Sequence, residues 1–317
     1  VRVVFFGTPD IAVPTLAAVA AGHQVVAVVC QPDRPRGRSK KALPPPVKVW
    51  AQDHGVPVHQ PTKLNDGTFE AWLREQRPDV SVVAAYGRLL KQPLLDVPTH
   101  GHLNMHPSLL PRWRGASPIQ SAVMAGDQET GVTIMRLTLE MDAGDMLLQE
   151  RTPIDANEDA VALSDRLARL GAEMMLQALR NVELGTATYT PQDDAAATHC
   201  KMLRKEDGFM NWARPALELH NLVRGVLPWP IAQCGFQGQT CRILQTEVLH
   251  DSVRTTPGTI TGLNKHSVDV AAGEGQLRVL RFQAPGKKAM AMGDYLRGSS
   301  LKIGDRFDSL LPAEEDN

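Results

Sequence analysis

The sequence predicts an α/β protein in which a mostly parallel sheet with flanking helices fills the first part of the chain and a small antiparallel β-barrel fills the rest. Two observations carry the first half of that reading. Short Val-rich apolar runs recur at residues 2–6, 25–30 and 80–85, with helix-length segments between them. Runs of that kind read as strands buried on both faces, the mark of a parallel sheet. The third observation is a change of texture after Leu184, where short alternating runs separated by glycines replace the long apolar ones.

The elements follow in order. The run 2–6 ends at Gly7, and Thr15–Ala21 has helical composition before the strand 25–30. Phe69–Gln76 is a second helix, followed by the strand 80–85 and by further strands at Gly101–Met105 and Val132–Leu137. Ser117-Pro118 supplies a cap and a first-turn proline for a helix that Gly126 closes. Asp155 and Glu158 have capping-box spacing, and Leu163, Leu167, Leu170 and Met174 then mark one face of a long helix. Residues 185–200 are rich in Ala, Thr and Asp and lack an apolar period. The expected organisation is therefore a domain at 1–189, a linker at 190–205 and a second domain at 206–317. In the second domain, residues 216–226 form a short helix. Barrel strands fall at 241–244, 267–270 and 277–282, with turns at Gly235, Gly258, Gly262 and Gly273.

Composition narrows the function. The 317 residues suffice for two domains, and 43% hydrophobic with 22% charged residues is globular rather than disordered. A net charge of −1 excludes a general polycation, though not a local basic patch. Cys30, Cys200, Cys234 and Cys241 form no CxxC pair, which excludes a zinc-finger spacing and a disulfide framework and fits a reducing cytoplasm. Ile11–Cys30 carries no charge, but Pro14 and the turn Gly22-His23-Gln24 divide it into a helix and a strand rather than a membrane span. Asp10 falls where a secretory signal would run apolar, which argues against one.

Chemistry is concentrated in three places. The first strand–helix turn, Gly7-Thr8-Pro9-Asp10, lacks GxGxxG, and the chain has no GxxxxGK[ST], so neither a dinucleotide nor a nucleoside triphosphate site has sequence support. The densest polar cluster runs from His100 to Pro107. His100 and His102 share a strand face, yet no third ligand stands at helical spacing or in an HExxH frame, which disfavours a metal. Asn104 and His106, two apart, share a face as well, and Pro107 places them at the carboxyl end of their strand, where open α/β sheets bind ligands. The second cluster, Glu140 to Asp145, lacks the glutamate a calcium loop needs and reads by itself as an acidic turn. The third is a loop holding Arg34, Arg36, Arg38, Lys40, Lys41 and Lys48, with no acid between Asp33 and Asp53. Such a run is either a solvated surface or a phosphodiester-binding loop.

Taken together these residues resemble a family. Asn104-Met105-His106-Pro107-Ser108-Leu109-Leu110-Pro111, with Asp142 thirty-six residues after His106, is similar to the Asn/His/Asp signature of the folate-dependent formyltransferases. The segments FFGTPDIAVPTL, QPDRPRGRSKKALPPPVK, SLLPRWRGASPIQSAVMAGDQETGVTIM, KEDGFMNW and RGVLPWP, in that order, resemble the branch that acts on methionyl-tRNA. Pro107 departs from that branch toward the glycinamide ribonucleotide enzymes, and Ile231 stands where a glycine is expected.

The resemblance implies a Rossmann-like formyltransferase domain and an OB-like barrel. It implies 10-formyltetrahydrofolate as co-substrate, initiator methionyl-tRNA as acceptor, no metal, and a monomer in the cytoplasm. Attack of the amine on the formyl carbon creates an oxyanion. Asn104 would donate a hydrogen bond to it, His106 would donate or relay protons, and Asp142 would hold the imidazole and favour its charged form. Ser108, Leu109, Leu110 and Pro111 would line the folate site with Arg88, Leu89 and Leu90. Arg34, Arg36, Arg38, Lys40 and Lys41 would meet tRNA, joined by Arg278, Arg281, Lys287 and Lys288 from a stretch without acids between Gly275 and Gly293. With only 5% aromatic residues, phosphate and shape contacts are favoured over base stacking. The alternatives are a glycinamide ribonucleotide or nucleotide-sugar formyltransferase, and a non-catalytic RNA- or folate-binding protein.

Overall fold

A computed structural model describes residues 1–35, 42–251 and 253–311. Two compact units emerge, each drawing on several stretches of chain. The first holds Val1–Pro118, Glu129–Pro153 and Ser164–Lys201; the second holds Ile119–Gln128, Ile154–Leu163 and the chain from Met202 onward.

The first unit is built on strands β1 (Arg2–Gly7), β2 (Gln24–Val29), β3 (Val58–His59), β4 (Val80–Ala84), β5 (His102–His106), β6 (Glu129–Arg136) and β7 (Met146–Pro153). Helices α1 (Val13–Gly22), α2 (Pro46–Asp53) and α3 (Thr68–Gln76) connect the early strands. The spatial order is β7-β6-β5-β4-β1-β2-β3. The strands β1 to β5 run parallel, and β6 and β7 are antiparallel additions at one side. The chain moves outward from β1 through β2 to β3 and then returns to β4 on the other side of β1, so the carboxyl ends of β1 and β4 flank a topological switch point. Registers Val4↔Ser81, Phe6↔Val83, Ser81↔His102 and Val83↔Asn104 set Val4, Phe6, Val83, His102, Asn104 and His106 on one face. Val4, Phe6 and Val83 pack there with Phe69 and Leu73 of α3.

The long helix α5 (Ala160–Glu183), preceded in the chain by α4 (Pro118–Ala125), begins later than the capping-box spacing suggested. Asp159 is its cap, its Oδ1 accepting from the backbone N–H groups of Val161 and Ala162 at 3.0 and 2.9 Å. Leu163, Leu167 and Met174 are buried as expected, and Leu170 is half-buried. Residues 190–201, expected as a linker, are instead fastened within the first unit. Thr190 exchanges two backbone bonds with Met146, and His199–Cys200 pairs in parallel with Arg114–Gly115. Their partners are backbone groups distant in sequence, which no local period reveals.

In the second unit, α6 (Ala216–Gly225) precedes β8 (Ala232–Phe236), β9 (Gln239–Leu249), β10 (Ile260–Leu263), β11 (Val268–Ala271), β12 (Gln276–Gln283) and β13 (Phe307–Asp308). The antiparallel sheet runs β10-β11-β12-β9-β8-β13. Bonds from Ile260 N to Asp305 O and from Phe307 N to Gly258 O, both 2.8 Å, join its two ends into a barrel. Ile243, Val268, Val270, Leu277, Val279, Phe282 and Phe307 fill the interior. Gly235 and Gly262, expected as turns, lie inside β8 and β10. Buried His220 and Arg224 on α6 bring in the earlier segment: His220 Nε2 meets Ala156 O at 3.0 Å, and Arg224 Nη1 donates to Glu158 O at 2.9 Å. The second domain is therefore not the single stretch 206–317.

Candidate active site

Strand β5 delivers the polar file. His102 is buried, its Nε2 bonded to Leu94 O at 2.9 Å, and desolvation lowers its pKa to about 4. It is a core residue of the sheet, and His100 lies exposed before the strand. Among the described residues no group of three His, Cys, Asp or Glu side chains could hold a metal ion.

Asn104 and His106 come next along the same face, 8% and 4% exposed at the carboxyl end of β5. The His106 Nε2 meets the Trp113 carbonyl oxygen at 2.9 Å, and its Nδ1 lies 3.7 Å from Asp142 Oδ2. The ring thus stands between two acceptors. A neutral carbonyl occupies one nitrogen, and the carboxylate faces the other. Asp142 follows β6 in a left-handed conformation, φ 53°. Its Oδ2 also accepts from Gly115 N at 2.9 Å, which fixes the carboxylate beside the ring. Gly115 has φ 121°, and a Cβ there would meet Cys200 O at 2.1 Å. Gly144 is as confined, since a Cβ would meet Arg136 O at 1.9 Å. Of the three residues expected as catalytic, His106 and Asp142 face each other, and Asn104 precedes His106 on the same strand face.

The loop after β5 is pinned from β6. Thr133 is fully buried and pairs with His106 across the strands. Its hydroxyl donates to Ser108 O at 2.7 Å and accepts from Leu110 N at 3.2 Å and Gln149 Nε2 at 3.0 Å. Gln149 Nε2 also donates to Leu110 O at 2.9 Å, and Ser108 Oγ donates to Arg112 O at 2.6 Å. Pro111 follows a cis peptide bond. Backbone groups of Ser108 and Leu110 are therefore committed within the protein, while Leu109 and Pro111 are half-exposed.

Arg88, Leu89 and Leu90 follow β4 at the same sheet edge. Arg88 is bound to backbone carbonyls, donating to Pro61 O at 2.8 Å and Thr62 O at 3.1 Å. Leu90 is buried, and Leu89 is 65% exposed. Thr8 Oγ1 and Gln31 Nε2 both donate to Tyr86 O, at 3.2 and 2.9 Å, and so tie together the loops leaving β1, β2 and β4.

The cationic residues divide. Arg36, Arg38, Lys40 and Lys41 lie outside the described residues. Arg34 is exposed in a two-residue ladder, Arg34–Pro35 against Ala42–Leu43, where an irregular loop was expected. Lys48, counted in the sequence as uncompensated, is bound to both carboxylate oxygens of Asp33 at 2.9 Å and to Gln60. Arg278 is likewise paired with Asp269 through bonds of 2.7 and 3.0 Å, because β11 and β12 set the two opposite each other. A stretch free of acids along the chain is thus not free of them in space. Arg281, Lys287 and Lys288 are exposed.

Thr133, Gly115, Trp113 and Gln192 were not legible as site residues. Gln192 donates through Nε2 to the carbonyl oxygens of Asp142 and Gly144, both at 2.8 Å. Thr133 alone carried a sequence signal, as a hydroxyl inside an apolar strand that must find buried partners.

Comparison with known proteins gives this arrangement its setting. Residues 1–179 match the family model described as formyl transferase, and residues 202–300 match that of the formyl transferase C-terminal domain. The chain is 43% identical over 306 residues to the methionyl-tRNA formyltransferase of Geobacter metallireducens, covering 96% of this chain and 98% of that protein. It is 43% identical to the enzyme of the same name from Marinobacter nauticus, over the full length of both. Among solved structures, an N-formyltransferase from Helicobacter canadensis in complex with folinic acid and dTDP-3-aminofucose is similar in fold. Its TM-score is 0.67 at 16% identity, over 88% of this chain and 98% of that one.

Proposed function

The chain belongs to the formyl transferase family, and we propose that it moves the formyl group of 10-formyltetrahydrofolate to the α-amino group of methionine on initiator tRNA, using Asn104, His106 and Asp142. The observation that carries the residue assignment is the placing of Asn104 and His106 on one face at the carboxyl end of β5, with His106 Nδ1 3.7 Å from Asp142 Oδ2. The relatives' near-complete coverage at 43% identity carries the choice of acceptor.

The amine lone pair attacks the formyl carbon, and the carbonyl oxygen takes on negative charge. The Asn104 amide donates to that oxygen, and donors aimed at developing charge in a partly desolvated site are worth about two to three orders of magnitude in rate. His106 takes the proton that the attacking nitrogen must lose and returns one to the departing folate nitrogen. Trp113 O holds one ring nitrogen, so the traffic uses the edge facing Asp142. Asp142 fixes ring orientation through its own bond to Gly115. No covalent intermediate with the protein and no metal enter this scheme.

Folate lies along the sheet edge against Leu89, Leu109 and Pro111. Arg88 shapes the edge by anchoring residues 61 and 62 rather than by touching the ligand. Ser108, Leu110 and Leu90 set the backbone course. The tRNA phosphates meet Arg34, Arg36, Arg38, Lys40, Lys41, Arg281, Lys287 and Lys288, with Arg278 serving mainly as a strut for β11. The enzyme acts as a monomer in the cytoplasm.

The test offers 10-formyltetrahydrofolate with three acceptors separately: methionyl-initiator tRNA, glycinamide ribonucleotide and a nucleotide-linked amino sugar. Formylation of the tRNA at a kcat/KM far above the other two supports the reading. Turnover of a small-molecule acceptor with no product on the tRNA overturns it.

A further inference from the structure

We infer that Gln192 is a positioning residue for the transfer, acting through Asp142, and that residues 190–200 form a brace for the catalytic histidine. The inference rests on the assignment of Asp142 above.

The bonds make a closed ring. Gln192 Nε2 holds the carbonyl oxygens of Asp142 and Gly144, and Gln192 Oε1 accepts from Arg114 Nε at 3.0 Å. Arg114 is 2% exposed, and its Nη2 is paired with Asp194 at 2.6 Å. The next residue, Gly115, donates its N–H to the Asp142 carboxylate. Asp142 is therefore gripped at its main chain by Gln192 and at its side chain by Gly115, and Arg114 ties the two grips together. The grip has work to do, because Asp142 stands at φ 53°, a left-handed conformation an L residue leaves readily when nothing holds it.

The same segment reaches the other side of the imidazole. Thr198 Oγ1 accepts from Trp113 N at 2.9 Å, and Thr198 O accepts from Arg114 N at 2.9 Å. Trp113 O is the acceptor that holds His106 Nε2. Both neighbours of the catalytic ring are thus fixed from residues 190–200, a stretch whose sequence carries neither a period nor a motif. Positioning of this kind acts on rate more than on affinity, since a displaced general base loses alignment while the substrate sites remain.

The test is a double-mutant cycle in the full-length protein, read as kcat and KM for both substrates, with Tm alongside. Gln192→Leu keeps the volume and removes the amide. It is expected to lower kcat by about 10- to 100-fold with each KM within about twofold. Asp142→Asn is expected to be slow as well. The combined variant should be no slower than Asp142→Asn alone to within about twofold, because Gln192 acts only through the group already lost. Should Gln192→Leu fail to fold, Gln192→Glu is read in its place, since it keeps the acceptor for Arg114 and turns the amide donor into an acceptor facing two carbonyls. A wild-type kcat in the Gln192 variant, or losses that multiply in the combination, overturns the inference. A normal rate for Asp142→Asn defeats instead the assignment of Asp142 and shows in that variant by itself.

Discussion

Thr133→Val removes one oxygen from the centre of the site while keeping volume and strand propensity. The hydroxyl makes three bonds in a fully buried position: to Ser108 O, from Leu110 N and from Gln149 Nε2. Gln149 keeps a second acceptor in Leu110 O, so its amide is not stranded. Ser108 O and Leu110 N lose the partner the hydroxyl supplied. A buried polar group left without a partner costs about 1–3 kcal/mol, so two of them set an expectation of about 2–6 kcal/mol for the first unit. The methyl replacing the hydroxyl offsets little, because its apolar gain is about 0.8 kcal/mol.

Urea unfolding monitored by far-UV circular dichroism reads the stability change, and steady-state kinetics read the site. Loosening the Ser108–Pro111 segment should raise KM for the formyl donor several-fold, with a smaller effect on the tRNA KM. Thr133→Ser, which keeps the oxygen, should restore most of both. Refutation is clear: a Val variant within about 0.5 kcal/mol of the wild type, the range of an unremarkable surface change, with an unchanged donor KM. The loop would then be held by Gln149 and the chain itself, and the Thr133 bonds would be incidental.

Four further outcomes are expected. Asn104→Ala and His106→Ala should each lower kcat by about two orders of magnitude with folate binding kept, measured by stopped-flow fluorescence and turnover. Acid should destabilise the sheet through His102. Its folded pKa of about 4 lies below the ordinary 6.5, so the stabilisation is complete above pH 6.5 and declines as the pH falls toward 4, by about 3 kcal/mol in all; equal pH slopes for wild type and His102→Gln would contradict this. Truncation after Lys201 should yield a sticky, weakly stable fragment, because residues 119–128 and 154–163 belong to the second unit and would lose their packing; dye binding and light scattering check it. Replacing Arg38, Lys40 and Lys41 by Ala should weaken tRNA binding and flatten its salt dependence while sparing folate binding; identical affinities and slopes would make the loop a plain solvated surface.

The parts of the molecule that sequence made legible are those whose causes are local. Val-rich runs announce β1, β2 and β4 because strands covered on both faces need continuous apolar residues. Asn104 and His106 were placed correctly because a period of two and a following proline are both readable within four residues. Failures came where the cause was distant. The edge strand β7, Met146–Pro153, is half polar and gained its conformation from pairing with β6. Asp159 displaced Asp155 as the helix cap although both satisfy the same preference.

Charge shows the same division more sharply. Counting along the chain left Lys48 and Arg278 unpaired, yet Asp33 and Asp269 neutralise them through the fold. Lys48 finds an acid fifteen residues earlier, and Arg278 finds one nine residues earlier on the neighbouring strand. Both pairs are partly buried, and each takes a cation out of the positive charge that a phosphate backbone would meet. A basic patch is therefore a property of what remains after cross-strand pairing, and here Arg34, Arg281, Lys287 and Lys288 remain exposed among the described residues. The same logic explains Gln192. A residue whose role lies in bonds to main-chain carbonyls fifty and forty-eight residues away has no need of a pattern in its own neighbourhood. The stretch least like a structural element in the sequence thus holds both neighbours of the His106 ring.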